Sequence, residues 1–290
     1  MGQSGIVVGP DPGRVQPVAM AARIAVAGAA GRMGQALIEA TLSAPELALA
    51  AAFDVPGSAI VGCDAGERFG RATGVIVGTD ADAAARAADV LIDFTRPEGT
   101  LLHLAACVRH GTGAVVGTTG FSALQKAALT EQAGRIPVVF APNMSVGVNV
   151  LVALVEAAAR RLGSDFDIEI VEMHHRHKVD APSGTALRLG EAAAQGAGRA
   201  LAECAVYARE GVTGERKRGA IGFASLRGGD VVGDHTVIFA GAGERVELAH
   251  KATSRQNFAA GALRAAHFVA RRRAAGGTGL SDMQDVLDLR

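Results

Sequence analysis

Arg23-Ile-Ala-Val-Ala-Gly28-Ala-Ala-Gly31-Arg-Met-Gly34 reads as a short buried strand that ends in a glycine loop and runs into a helix over Met33–Leu42. An apolar run closed by glycine marks a strand and its turn. Glycines at 28, 31 and 34 permit a tight turn and let backbone N–H groups at the helix start approach a pyrophosphate. The spacing is GxxGxxG, a variant of the dinucleotide fingerprint, and its weight comes from context: strand before, helix after, inside a βαβ unit. Leu47–Phe53 is the next strand, and Asp54 closes it 20 residues past Gly34. That is where a carboxylate accepts hydrogen bonds from the ribose hydroxyls of an adenosine. Val55 and Pro56 follow, with no Arg or Lys beside Asp54 to neutralise a 2′-phosphate. NADH, or dual use of NADH and NADPH, is expected over NADPH alone.

Working outward, the alternation continues. Strands are expected at Val75–Val77, Val90–Phe94, Ala114–Gly117 and Val138–Phe140, with helices at Pro97–His110 and Ser122–Gly134. Strands alternating with helices imply a doubly wound, Rossmann-like parallel sheet. Ligands bind outside the carboxyl ends of such strands. Gly117-Thr118-Thr119-Gly120, Asp93–Pro97 and Ala141-Pro142-Asn143-Met144 are three loops at those ends. The character changes after about residue 145. Val146–Leu162 and Ser183–Ala194 read as helices. Phe166–Met173, Ala205–Arg209, Ile221–Arg227, Val231–Ala240 and Arg245–Ala249 read as strands of a second, α+β domain with a mixed, largely antiparallel sheet. Asn257–Arg273 returns to helix.

The composition excludes several classes. The chain has 290 residues, 49% hydrophobic and 20% charged, the balance of a globular protein large enough for two domains. Lys plus Arg and Asp plus Glu are 29 each, so no global field gathers nucleic acid or an anionic membrane. Arg271–Arg273 fits a solvated helix C-terminus. Cys63, Cys107 and Cys204 are odd in number and widely spaced, which argues against a disulfide scaffold and for a reducing cytoplasm. No apolar run reaches the roughly 18 residues of a membrane span. Residues 1–20 carry scattered Gly and Pro and no apolar core of a signal peptide; they are expected to be a disordered extension or an upstream start.

The densest polar stretch is Glu172-Met-His174-His175-Arg-His177-Lys178-Val-Asp180-Ala-Pro-Ser183-Gly184-Thr185-Ala186. Its histidines lack the HxxxH spacing of one helix face, and no Cys or HExxH stands near, so a metal site is not expected. A solvated polar loop is the plain alternative. An anionic-substrate site suits the residues better. Ser183 has the character of an N-cap, and Gly184 and Thr185 open a helix whose free N–H groups and dipole favour a carboxylate. Lys178 adds a point charge, and a histidine can hold or release a proton near neutral pH. Cation, helix N-terminus and proton donor together suit a small dicarboxylate that is reduced and protonated.

At these residues the chain resembles the 4-hydroxy-tetrahydrodipicolinate (dihydrodipicolinate) reductase family of diaminopimelate and lysine biosynthesis. The matching stretches are V-A-G-A-A-G-R-M-G, I-D-F-T-R-P-E, V-V-G-T-T-G-F, N-M-S-V-G-V-N-V, E-M-H-H-R-H-K-V-D-A-P-S-G-T-A and A-R-E-G-V-T-G-E-R, between about Ile24 and Leu289. The resemblance implies a dinucleotide-binding domain over 21–145, completed by 256–290. A substrate-binding and oligomerisation domain would span 146–255, and the assembly would be a homotetramer. It implies His174 and Lys178 as the acid/base pair, with His175, Gly184 and Thr185 on the substrate carboxylate. Gly28, Ala29, Ala30, Gly31, Arg32, Met33, Asp54, Gly117, Thr118, Thr119, Ala141, Pro142, Asn143 and Met144 would hold the cofactor. Relatives that use NADPH well often carry Arg where this chain has Val55, and some carry Phe where it has Met144.

Overall fold

The computed structural model describes residues 21–290, so the extension expected over 1–20 lies outside the described residues. In chain order the elements are β1 (Ala22–Ala27), α1 (Arg32–Ser43), β2 (Leu47–Phe53), α2 (Ala81–Ala87), β3 (Val90–Asp93), α3 (Pro97–His110), β4 (Gly113–Val116), α4 (Ala123–Ala133), β5 (Pro137–Phe140), α5 (Val146–Leu162), β6 (Asp167–His174), α6 (Gly184–Gly196), α7 (Leu201–Cys204), β7 (Ala205–Val206), β8 (Ile221–Arg227), β9 (Gly233–Ala240), β10 (Arg245–Ala252), α8 (Gln256–Ala274), β11 (Gly279–Ser281) and α9 (Met283–Val286).

Six strands form one parallel sheet in the order β11-β5-β4-β3-β1-β2. Strand alternation sends successive side chains to opposite faces. Ile24 and Val26 pack with Leu37 and Ile38 of α1 and with the alanine-rich face of α8. Ala25 and Ala27 pack toward α2, α3 and α4. Apolar residues on both faces are what a sheet covered on both sides requires. α8 lies close because glycine clears its path: a Cβ on Gly261 would stand 1.7 Å from the Met144 carbonyl oxygen. The chain thus leaves the first sheet after β5, builds the second, and returns through α8 and β11.

The second sheet runs β10-β9-β6-β8-β7. Its antiparallel ladders, β10–β9 and β6–β9, pair eight and seven residues; the parallel ones, β6–β8 and β7–β8, pair seven and two. α5 and α6 cover one face, burying Ile168, Ile170, Phe223, Val237 and Phe239. The same alternation continues past the apolar residues of β6, so Glu172 and His174 follow Ile168 and Ile170 onto the covered face.

The structure departs from the sequence reading at two expected strands and adds four short elements, α2, α7, β11 and α9. Val75–Val77 forms only one isolated bridge, Ile76 with Asp64, because residues 64–74 wrap around the Asp64 carboxylate, which accepts from Gly66, Thr73 and Gly74 N–H. The strand expected at Ala205–Arg209 ends at Val206; Arg209 is instead drawn to Glu169 by two bonds of 2.8 Å. The helix α2 is seven residues of mostly alanine, too short to show a periodicity, and Asp80 caps it. α7, β11 and α9, four, three and four residues long, carry no periodic pattern either.

Candidate active site

A cleft of about 570 Å³ opens between the two sheets. Thr119, Ala141, Pro142 and Asn143 line it from the first sheet, and His174, Lys178, Gly184 and Thr185 from the second. Asn143 Nδ2 donates to Thr185 Oγ1 at 3.0 Å, joining the two walls directly.

His174 is held on its Nδ1 side by Glu172 Oε2 at 2.5 Å. Glu172 is 1% exposed. Arg227, the neighbour of His174 in the β6–β8 register, grips both carboxylate oxygens at 2.9 and 2.8 Å. The Ser183 N–H adds a bond of 3.3 Å. Burial pushes the Glu172 pKa up, but the bonds from Arg227 and His174 outweigh it and hold it at about 2. His235, paired with Glu172 across β6–β9, stands edge-on to His174 with ring centroids 5.1 Å apart. Its Nε2 meets Ser183 Oγ at 3.0 Å. Burial, with the nearby His174, pushes the His235 pKa down to about 4.

Lys178 points its ammonium at Asp180, 2.7 and 2.8 Å from the two oxygens. That bond holds the Asp180 pKa below the ordinary carboxylate range. Ser183 caps α6 by accepting from Ala186 N–H, which leaves the amides of Gly184 and Thr185 free at the cleft. Arg188, one turn further, is exposed and lines the same cleft. His175 is not on the cleft wall; its pKa is lowered by desolvation and by the charges of His177 and Arg255.

The glycine loop and Asp54 lie outside this cleft, at the carboxyl ends of β1 and β2 on the same edge of the first sheet. Gly28 takes φ +67°, and a Cβ on Gly34 would stand 2.1 Å from the Gly28 carbonyl oxygen. The loop therefore closes only without side chains at these positions. Gly31 is the N-cap of α1 and supplies no side-chain cap, so the first amides remain free. Asp54 accepts from Ala30 N–H at 2.6 Å and from Val55 N–H at 2.7 Å, which braces its carboxylate across the loop. Ala29 is buried, Ala30, Gly31 and Arg32 are exposed, and Met33 is half-buried. These features fit a dinucleotide: a bare backbone cradle, free helix amides and a carboxylate beyond them. Further along the edge, the Phe94 ring fills the place a Cβ on Gly117 would take, 2.2 Å away. Thr118 is buried against Thr100 and Asp93, while Thr119 reaches the cleft. Met144 is 1% exposed, in the first sheet's core and not on the cleft wall.

Sequence reasoning missed Arg227, His235, Asn149, Arg188 and the Asp282-Met283-Gln284 turn, all at or behind the cleft. Only the turn carries a local signal, a capping box of Asp282 with Asp285. Arg227 and His235 arrive through strand register, which no local spacing encodes.

Comparison with known proteins adds to this geometry. Family models described as dihydrodipicolinate reductase, N-terminus and C-terminus, match residues 22–144 and 147–287. A 4-hydroxy-tetrahydrodipicolinate reductase of Dechloromonas aromatica is 61% identical over 93% of this chain and 99% of its own. One from Aromatoleum aromaticum is 59% identical over 92% and 96%. Among solved structures, dipicolinate-bound dihydrodipicolinate reductase from Paenisporosarcina sp. TG-14 superposes with a TM-score of 0.70 at 25% identity, covering 92% of this chain and 99% of that one.

Proposed function

The chain belongs to the dihydrodipicolinate reductase family, and from that premise we propose that the cleft seats the cyclic dicarboxylate this family reduces, with His174 and Lys178 as its proton-handling pair. The enzyme is an oxidoreductase of diaminopimelate and lysine biosynthesis. Its reaction is the nicotinamide-dependent reduction of 4-hydroxy-tetrahydrodipicolinate to tetrahydrodipicolinate with loss of water. A bound nicotinamide cofactor supplies the hydride.

Replacing a ring hydroxyl by hydride and releasing water consumes one proton as well, so the site needs an acid. The observation that carries the proposal is the shared wall on which His174 and Lys178 meet the free amides of α6. Gly184 and Thr185 are placed to receive a substrate carboxylate, with Lys178 adding charge once it turns from Asp180. His175 is assigned to a second carboxylate contact, which requires its loop to move inward from its place off the wall. The pyrophosphate is assigned to Gly28–Met33 and the ribose to Asp54. Gly117–Thr119 and Ala141–Met144 are assigned to the nicotinamide half, Met144 through its backbone because its side chain is buried. NADH is proposed to serve at least as well as NADPH, because Val55, exposed beside Asp54, offers a 2′-phosphate no charge.

Hydride transfer needs the reacting carbons about 3–3.5 Å apart. Closure of the two halves about 143–147 and 253–257 is proposed to bring them there; scattering of the free and doubly liganded enzyme tests it. The face of the second sheet away from α5 and α6 carries half-buried Val171, Met173 and Ile238 and Leu226 at 46% exposure. An apolar face of that kind supports assembly into the homotetramer proposed here. No described helix is long and apolar enough to cross a membrane; a cytoplasmic location is proposed on the family's biosynthetic role. The direct test follows NADH absorbance with the condensation product of pyruvate and aspartate semialdehyde. Oxidation that requires both enzyme and condensation product is expected, and its absence refutes the proposal.

A further inference from the structure

β6 alternates Ile168, Ile170, Glu172 and His174 on its covered face, so a carboxylate stands where packing alone would place another aliphatic side chain. A buried carboxylate without partners costs several kcal/mol. Glu172 has partners in every direction: His174 Nδ1 at 2.5 Å, Arg227 at 2.8 and 2.9 Å, and Ser183 N–H at 3.3 Å. Arg227 and the Ser183 amide can only donate, so Glu172 is the ionised acceptor of the group. It has no proton to give, and His174 Nδ1 must therefore carry the hydrogen of their bond. The other ring nitrogen, Nε2, has no hydrogen-bond partner among the described residues, and His174 lines the cleft. Nε2 is also given room: a Cβ on Gly233 would stand 2.9 Å from it. Arg227 further donates to the Asp180 carbonyl at 2.7 Å, tying the same clasp to the loop that carries Lys178.

We infer that Glu172, clamped by Arg227, is the positioning residue of the reaction: it fixes the hydrogen of His174 on Nδ1 and presents Nε2 as the nitrogen that meets substrate. The inference rests on His174 being the acid of the proposed function. The groups that face His174 are Glu172 from its own strand, Arg227 from β8, His235 from β9, and His175, Lys178 and Asp180 from the loop. Glu172 bonds the ring directly, so its removal frees the tautomer.

The test is Glu172→Gln in the full chain, read by steady-state kinetics and by nitrogen NMR of the His174 ring. The expected result is a fall in kcat of roughly 10²-fold, the lower end for disabling a positioned acid. Substrate KM and NADH affinity should stay within about threefold, because the residues that seat both ligands are untouched. The Nδ1–H signal should give way to a tautomer mixture, and Glu172→Asp should recover part of the loss. Wild-type kcat in Glu172→Gln beside an inactive His174→Gln overturns this inference alone. Wild-type kcat in His174→Gln overturns the acid assignment beneath it. A kcat loss with the His174 tautomer unchanged, or with KM and NADH affinity damaged equally, makes Glu172 a structural residue and also overturns the inference. If Glu172→Gln does not fold, Gly233→Ala decides: it should lower kcat at least tenfold while keeping the Nδ1–H signal, and wild-type kcat there overturns Nε2 as the reacting face.

Discussion

The loop after β1 and the loop after β6 each leave the carboxyl end of a buried strand and each enter a helix. The first works by leaving side chains out. Gly28 and Gly34 clear the turn, Gly31 leaves α1 uncapped, and a single carboxylate, Asp54, braces the loop through backbone amides. The second works by crowding side chains in. His174 and Ser183 on the cleft wall and Glu172, Arg227 and His235 behind it form one bonded group, and α6 is capped by Ser183 so that only its first amides stay free. A cofactor common to many enzymes can be held by backbone, which any sequence supplies. A particular acid must be aimed by neighbours of fixed charge. The two ends should therefore fail differently when altered.

The largest separation is expected from His174→Gln and Lys178→Ala. Each should lower kcat by roughly 10²–10⁴-fold, the range for losing a positioned proton-transfer group. NADH affinity should hardly change, since neither residue touches the glycine loop or Asp54. Steady-state kinetics with NADH titration checks both halves of the statement. Loss of NADH binding would merge the two ends and break the comparison.

Acid should also strike the second end first. Burial holds His235 at about 4, below the ordinary histidine value of 6.5. A depressed folded value means stability that is whole above pH 6.5 and is lost as pH falls toward 4. At about 1.4 kcal/mol per unit, the shift is worth up to about 3 kcal/mol. Glu172, held at about 2, adds a loss that begins only below about pH 4.5. Melting temperature against pH should show the wild-type chain weakening between pH 6.5 and 4, and His235→Gln flatter over that window. An equal slope in the two proteins would remove His235 from the account.

The contrast also explains what can be read from the sequence. The proposed cofactor end is local: a strand, three glycines and an acid 20 residues on, all visible in one pass. Half of the chemical end is local as well, since His174 through Thr185 form one uninterrupted run. Its aiming group is not. Arg227 lies 55 positions from Glu172. Both Arg227 and His235 come beside Glu172 and His174 only when β6, β8 and β9 align, a relation that no local spacing displays.

The same limit applies to the fold. Strands of six and seven residues such as β1 and β2 are legible from their apolar runs, whereas β11, three residues long, is a strand only because β5 offers it an edge. Val75–Val77 has the composition of a strand, but the carboxylate of Asp64 collects the neighbouring amides and keeps the segment as a loop.

A backbone cradle should be sensitive to a single added carbon. In Gly34→Ala the new Cβ would meet the Gly28 carbonyl oxygen at 2.1 Å, and the partner is backbone that cannot swing aside. Overpacking of this kind costs about 1–3 kcal/mol. If the loop distorts to relieve it, NADH affinity should weaken by roughly 5–150-fold, the equivalent of that energy. The kcat at saturating NADH should fall far less than in His174→Gln. NADH titration by fluorescence, set beside kcat, checks this. A Gly34→Ala variant with normal NADH affinity would show that the loop does not hold the cofactor.

The smallest expected effect lies at the rim of the same cradle. Val55 is 69% exposed and follows Asp54, whose carboxylate is braced by the amides of Ala30 and Val55 itself. A cofactor with a ribose diol can bond that carboxylate, whereas a 2′-phosphate brings negative charge toward it and finds no cation on the next residue. Val55→Arg should supply one, because a guanidinium pairs with phosphate through two parallel bonds. Both partners are exposed to water, which limits the gain to about 1 kcal/mol, or roughly fivefold in kcat/KM for NADPH. The kcat/KM for NADH should stay within about twofold, because Asp54 and its bonds are retained. The gain should shrink as salt is raised, since an exposed charge pair is screened within a Debye length of about 10 Å at 0.1 M. Measuring kcat/KM for both cofactors at low and high salt tests the assignment. A wild-type preference for NADPH above tenfold would mean that another cation, Arg32 or Arg96 among the exposed residues of this edge, already reaches the phosphate. In that case Val55→Arg would add nothing, and the cofactor end would depend on a cationic side chain as well as on Asp54.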